Sequence, residues 1–155
     1  MRDSKPIMLV EDDTVDAMTV KRALKDLKVT NPLVRAGNGE EALTYLRDDN
    51  NVKPCVILLD LNMPKMNGIE FLKVAKADEK LRRIPAIVLT TSKDDQDRIQ
   101  TFQFNVAGFI VKPVDYIKFV EAMKIINLYW TLSELPNSEQ ESTNANVQTD
   151  TACRR

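Results

Sequence analysis

The sequence predicts an α/β fold, a doubly wound parallel sheet in which five strands alternate with five helices. Short apolar runs recur along the chain, separated by amphipathic segments. The run Cys55-Val56-Ile57-Leu58-Leu59 is continuously apolar, as burial on both faces of a sheet requires. Strict alternation of the two patterns calls for crossover helices covering both faces.

The first strand is expected over 6–10, where Ile7-Met8-Leu9-Val10 follows Pro6 and runs into Glu11-Asp12-Asp13. A helix is expected over 14–28, with Val20, Leu24 and Leu27 recurring at helical spacing between lysines and Asp26. Strand 33–36 comes next, then a helix over 39–49. Asn38, followed three residues later by Glu41, reads as that helix's N-cap with its capping-box partner. Strand 55–60 ends in Asp60. In helix 68–77, Ile69, Leu72 and Ala75 or Lys76 share a face, and Gly68 lets the chain turn into it. Strand 85–90 begins with Pro85, which is tolerated at a strand's first residue. A helix over 94–104 leads to strand 107–111. The last helix, 115–132, carries Val120, Met123 and Ile126 or Asn127 on its apolar side. Right-handed crossovers leave few topologies, and the expected strand order is 2-1-3-4-5, a flavodoxin-like (βα)5 arrangement.

Bulk properties narrow the function classes. A chain of 155 residues suits one domain with a substantial core. Residues 1–136 are expected to form it, the last helix extending into an arm. Residues 137–155 are polar and nearly free of large apolar side chains, and are expected to be disordered. With 22 basic against 23 acidic residues, no global field recruits nucleic acid or an anionic membrane. No apolar stretch approaches the roughly 20 residues that span a bilayer, and residues 1–6 lack the apolar core of a signal peptide. Cys55 and Cys153 make a poor disulfide framework, so a reducing cytoplasm is the expected setting. The chain holds no histidine. That removes Ser-His-Asp and Cys-His hydrolases and His-ligated zinc, and any phosphohistidine must belong to a partner. Gly37, Gly39, Gly68 and Gly108 form neither a P-loop nor a dinucleotide fingerprint.

Asp60 stands at the C-terminal end of a buried strand, where open α/β sheets place their chemistry. Parallel packing would bring Glu11, Asp12 and Asp60 to one sheet edge with Lys112, which follows Ala107-Gly108-Phe109-Ile110-Val111. Crowded carboxylates are costly unless a cation binds among them, and an all-oxygen set suits Mg2+. A metal there orients an in-line attack, so Asp60 can act as a nucleophile and become an acyl phosphate. Lys112 would counter the added charge, and Thr90 could offer its hydroxyl to a phosphate oxygen. Taken singly, each has a plainer explanation. Asp60 could be a turn or cap residue, and Glu11-Asp12-Asp13 the acidic first turn of a helix. Lys112 could be a surface charge, Thr90 a strand residue, and Thr91-Ser92 the approach to a helix. Acids after strand one, Asp after three, Thr after four and Lys-Pro after five rarely coincide.

Val10-Glu11-Asp12-Asp13, Leu59-Asp60-Leu61-Asn62-Met63-Pro64 with Asn67-Gly68, Leu89-Thr90-Thr91-Ser92 and Val111-Lys112-Pro113 resemble the receiver domain of two-component response regulators, from about residue 6 to residue 127. Ile84-Pro85 leading to Val88-Leu89-Thr90-Thr91-Ser92-Lys93, and Tyr129-Trp130 leading to Leu135-Pro136, narrow the likeness to stand-alone regulators paired with phytochrome-type histidine kinases. The resemblance implies that Asp60 is phosphorylated by a partner histidine kinase. It implies that Asp12 ligates Mg2+ directly, that Glu11 acts mainly through water, and that Asn62 gives its backbone carbonyl. Thr90, with Thr91 beside it, matches the switch hydroxyl. Lys112 matches the phosphate-pairing lysine, its bond to Pro113 typically cis. Phe109 takes the switch-aromatic position, often Tyr in the family, without the hydroxyl. Asn62 and Ser92 border the water's approach and are candidates for setting the dephosphorylation rate. The remodelled surface would be that of helix four, strand five and helix five.

The stretch 128–136, with Tyr129, Trp130, Leu132 and Leu135, is more apolar than a free helix end. These residues either pack back on their own domain or form a homodimer, and the resemblance favours the dimer. Two rivals use the same residues. An aspartate-nucleophile phosphohydrolase would need an acid two residues after Asp60, where Asn62 stands, and a cap for which no sequence is spare. A phosphate-independent interaction module would have no need of the intact acids, Thr90 and Lys112. The expectation is therefore a response regulator without enzymatic output.

Overall fold

Five strands, β1 (Ile7–Val10), β2 (Leu33–Ala36), β3 (Val56–Asp60), β4 (Ala86–Thr90) and β5 (Gly108–Val111), lie parallel in the order β2-β1-β3-β4-β5. The computed structural model describes residues 5–61, 63, 65–90, 99, 104, 106–111 and 115–128, with backbone only at Thr90 and Val111. Strand order and direction are those expected.

Prolines set several strand starts. Pro6, Pro32 and Pro85 each stand immediately before a strand rather than within it. None can donate to the ladder, yet each carbonyl accepts from a neighbouring strand or its approach: Cys55 N–H to Pro6, Ile7 N–H to Pro32 and Ile57 N–H to Pro85, at 2.8–2.9 Å. The strands expected from 6 and 85 therefore begin one residue later.

Helices α1 (Thr14–Asp26), α2 (Gly39–Arg47) and α3 (Gly68–Ala77) follow the first three strands. Residues 116–128 are also helical. Of the helix expected over 94–104, only Ile99 and Phe104 fall among the described residues, and Ile99 is buried. Side-chain alternation along the strands divides the core. Met8, Val10, Ile57, Leu59 and Val88 pack with Leu43 and Leu46 of α2 and Phe71 and Leu72 of α3. Ile7, Leu9, Val56, Leu58, Ile87 and Leu89 pack with Val20 and Leu24 of α1 and with Phe119 and Met123. Each large side chain so buried contributes about 1.5–3 kcal/mol. The sheet is covered on both faces, as the continuous apolar run of β3 requires.

Two helix ends differ from expectation for local reasons. Helix α1 stops at Asp26, because Lys28 adopts φ 61° and closes a Schellman motif. The Lys28 N–H donates to the Lys25 carbonyl at 2.9 Å and the Val29 N–H to the Leu24 carbonyl at 3.0 Å. Helix α2 stops at Arg47, where Asp48 turns extended, and the Asp48 carboxylate accepts from the Asn50 N–H at 2.9 Å.

Across the sheet's α1 face, the Tyr116 hydroxyl donates to the Asp26 carboxylate at 2.6 Å, and the Arg22 guanidinium sits 4.3 Å from the Tyr116 ring centre. This ties the helix over 116–128 to the C-terminal half of α1.

Candidate functional site

The register builds the site from β1 and β3. Val10 pairs with Leu59, so Glu11, just beyond β1, stands next to Asp60, the last residue of β3. Both carboxylates are almost wholly buried, Glu11 at 1% exposure and Asp60 at 4%, while Asp12 is exposed. One carboxylate oxygen from each of Glu11, Asp12 and Asp60 lies within 4.8 Å of the other two. Like charges brought this close are unfavourable with nothing between them. A divalent cation reverses that sign, and three converging carboxylate oxygens with an open exposed side form the hard donor set that Mg2+ or Mn2+ accepts. The residues present therefore fit such a metal.

Asp13, the third acid of the run, has a different task. Its side chain caps α1, accepting from the Val15 N–H at 2.8 Å and the Asp16 N–H at 3.0 Å. Its own N–H donates to the Glu11 carboxylate at 3.3 Å. Asp13 is thus the N-cap, one position before the first turn, and the acid within that turn is Asp16.

The loop after Asp60 is drawn inward, with Leu61 and Met63 buried. The Gly68 N–H donates to the Leu61 carbonyl at 3.1 Å, seating the start of α3 on the end of β3. A Cβ on Gly68 would lie 2.7 Å from the Leu61 Cα and 2.8 Å from the Asp60 carbonyl oxygen. Its φ is not in the left-handed region, so glycine lets the chain turn into α3 here by permitting close approach and not by a positive φ. Asn67 and Glu70 cap the same helix with a complete capping box, at 2.9 and 3.0 Å. At α2 the box is only half formed. The Asn38 side chain accepts from the Glu41 N–H at 3.0 Å, but the Glu41 carboxylate accepts from the Gly37 N–H at 2.7 Å.

The junction of β2 with α2 touches both acid-bearing segments. The Arg35 Nε–H donates to the Glu11 carbonyl at 3.0 Å, and its terminal nitrogen to the Asp12 carbonyl at 3.1 Å. The Gly39 N–H donates to the Met66 carbonyl at 2.9 Å. Neither contact was expected from the sequence. The one available signal for Arg35 was a charged residue next to the end of an otherwise apolar strand.

Among the other residues singled out by sequence, the Thr90 backbone closes β4, one position beyond Leu89, the register partner of Asp60. Thr90 also pairs with Val111, the residue before Lys112. Phe109 is partly buried against the core on the α2 and α3 side. Asn62, Thr91, Ser92, Lys112, Pro113, Tyr129, Trp130, Leu132 and Leu135 lie outside the described residues. Among the described residues no helix is long and apolar enough to cross a membrane.

Comparison with known proteins agrees with this architecture. The chain is 36% identical over 127 residues to the probable methanogenesis regulatory protein FilR2 of Methanothrix harundinacea, covering 80% of this chain and 82% of that one. It is 33% identical over 130 residues to the response regulator Rcp1 of a Synechocystis species, covering 81% and 88%. The Mn2+-bound form of Rcp1 superposes with a TM-score of 0.71, over 81% of this chain and 94% of that one. The phosphorylated cyanobacterial phytochrome response regulator RcpA superposes at 0.74 with 36% identity, over 83% and 94%. The family description "response regulator receiver domain" matches residues 7–124. With that match across a sheet of the expected order, the chain belongs to the response regulator receiver domain family.

Proposed function

We propose that this chain acts as a single-domain response regulator. It accepts a phosphoryl group on Asp60 from the phosphohistidine of a partner kinase, with Mg2+ held by Glu11, Asp12 and Asp60. The observation that carries the reading is the convergence of those three carboxylates within 4.8 Å at the C-terminal ends of β1 and β3. A metal bound there supplies charge neutralisation to the phosphoryl oxygens. An Asp60 carboxylate oxygen forms the new bond to phosphorus. The phosphorus–nitrogen bond to the donor imidazole breaks, and its electron pair stays on that nitrogen. Asp12, exposed, lies on the side from which a donor approaches, while buried Glu11 helps fix the cluster.

In this reading the Asn62 carbonyl would join the carboxylates as a ligand, with water filling the remaining positions, and Lys112, its bond to Pro113 cis as is typical of the family, would pair with the new phosphate. The Thr90 hydroxyl, beside Thr91, moves toward the phosphate and Phe109 rotates inward. The face of helix four, strand five and helix five is remodelled by population shift. Adjacent strand ends at Asp60, Thr90 and Val111 support this arrangement. Asn62 and Ser92 set the dephosphorylation rate. The phytochrome-type kinase as partner rests on the likeness to RcpA, a phytochrome response regulator. A homodimer through Tyr129, Trp130, Leu132 and Leu135 is supported by exposed Ile117, Ile125 and Leu128 on the helix leading to them. The cytoplasm is the setting that a kinase partner and a cysteine-poor chain favour.

Intact mass after incubation with acetyl phosphate and Mg2+ tests the reading. The expected result is one labile phosphate adduct, absent in Asp60→Asn and in EDTA. An adduct of equal yield in either control overturns it.

A further inference from the structure

Arg35 sits next to the end of the edge strand β2 and is exposed, yet its guanidinium is engaged on the main chain. Its Nε–H and its terminal nitrogen reach two successive backbone carbonyls, those of Glu11 at 3.0 Å and Asp12 at 3.1 Å. These carbonyls belong to the two consecutive residues whose carboxylates join Asp60. Ladder bonding ends nearby: the Glu11 N–H donates to the Ala36 carbonyl at 2.9 Å, and Asp13 already caps α1. Between those anchors the Glu11–Asp12 backbone has left β1 and has not entered α1. A planar guanidinium fork bridging both carbonyls fixes the peptide planes of that gap, and with them the directions in which the two side chains leave the backbone.

Strand alternation explains why Arg35 can do this. Leu33 packs on the α1 face of the sheet, and Arg35, two residues on, keeps the same face. Leu9 is its register partner on β1, so its side chain crosses the end of β1 two residues beyond. Val34 and Ala36 face the opposite core and could not reach.

We propose that Arg35 is a positioning residue for the metal site, setting divalent-cation affinity through the Glu11 and Asp12 backbone without touching the ion. The inference rests on the metal reading given above. It opposes the simplest electrostatic expectation, in which a nearby positive charge weakens cation binding and its removal tightens it. Positioning and charge therefore predict opposite signs.

The test is Mg2+ titration calorimetry on the wild-type chain, Arg35→Lys and Arg35→Ala, with urea unfolding of each in EDTA. Arg35→Lys keeps the charge but cannot bridge two carbonyls with a planar fork. Both variants are expected to raise the Mg2+ Kd about tenfold, the lower end of what outer supports of metal ligands contribute. An unchanged or lower Kd in Arg35→Ala, or an unchanged Kd in Arg35→Lys, overturns the proposal. A loss of stability in EDTA with wild-type Kd assigns Arg35 a purely structural role and likewise overturns it. The wild-type chain gives a second measurement that needs no variant. The Arg35 Nε–H resonance should shift along the same Mg2+ titration curve, and a signal that stays in place counts against the proposal. Absence of Mg2+ binding by the wild-type chain instead removes the metal reading itself, and this inference with it.

Discussion

The missing side chain of Gly68 leaves room for the carbonyl of Asp60: a Cβ at residue 68 would stand 2.8 Å from that oxygen and 2.7 Å from the Leu61 Cα. Both obstacles are backbone and cannot rotate away. Gly68→Ala should destabilise the fold by about 1–3 kcal/mol, the usual cost of overpacking. Because the displaced atoms belong to Asp60 and its neighbour, Mg2+ affinity should fall with stability. Urea denaturation and Mg2+ titration of the same sample check this, and wild-type values in both would show that α3 seats less tightly than its geometry indicates.

Asp12 and Asp13 are neighbours with separable duties. Asp13→Ala removes a cap and should cost about 1 kcal/mol of stability in EDTA, with little effect on the Mg2+ Kd. Asp12→Asn should leave stability in EDTA unchanged or slightly higher, since a crowded charge is gone, while weakening Mg2+ binding sharply. At a Mg2+ concentration 100 times its Kd the wild-type chain gains about 2.7 kcal/mol, and Asp12→Asn should lose most of that gain. Reversal of the two phenotypes would mean that the cap and ligand assignments are exchanged.

Lys28 holds a position that glycine normally fills. The left-handed conformation costs a non-glycine residue roughly 1–2 kcal/mol, and glycine's extra chain entropy returns roughly 0.5–1 kcal/mol of that. Lys28→Gly should therefore raise stability by about 0.5 kcal/mol and Tm by about 1–2 °C. Calorimetry showing a lower Tm would point to a favourable contact of the lysine side chain.

The Tyr116–Asp26 bond should be visible in alkali. Partial desolvation first, and then the Asp26 carboxylate, raise the Tyr116 phenol above its ordinary value, with Arg22 opposing. A phenol whose folded value is raised contributes stability that is complete below the unfolded value and is lost as pH rises through the folded one. Tyr116→Phe should therefore lower Tm at neutral pH, and the difference from wild type should close at strongly alkaline pH. A Tm difference independent of pH would trace the effect to packing alone.

Much of this architecture was legible because period and burial are written into composition. The apolar runs ending at Val10 and Asp60 declared strands buried on both faces, and their order placed two groups of acids at one edge. What stayed illegible depends on atoms meeting across the sheet. Asn67 and Glu70 have the same spacing as Asn38 and Glu41, yet only the former close a full box. The latter glutamate finds the Gly37 N–H nearer, a choice made by the chain's path out of β2. Arg35 offered no spacing pattern, since its partners are backbone carbonyls 23 and 24 residues away. Lys28 stopped α1 through a dihedral angle that lysine's intrinsic preference would not suggest.

The bond between Tyr116 and Asp26 joins residues 90 apart in sequence. The core on the α1 face likewise runs from Ile7 to Met123. During synthesis at about 5–20 residues per second, α1 waits on the order of ten seconds for its last partner. The other face, with α2 and α3, has nearly all its material sooner. The face that carries Glu11, Arg35 and, by strand alternation, Asp60 is thus the later one to be completed. On the function proposed above, a nascent chain acquires the Asp60 carboxylate early but its finished setting late, so competence to take a phosphoryl group should arise only as translation of the domain ends.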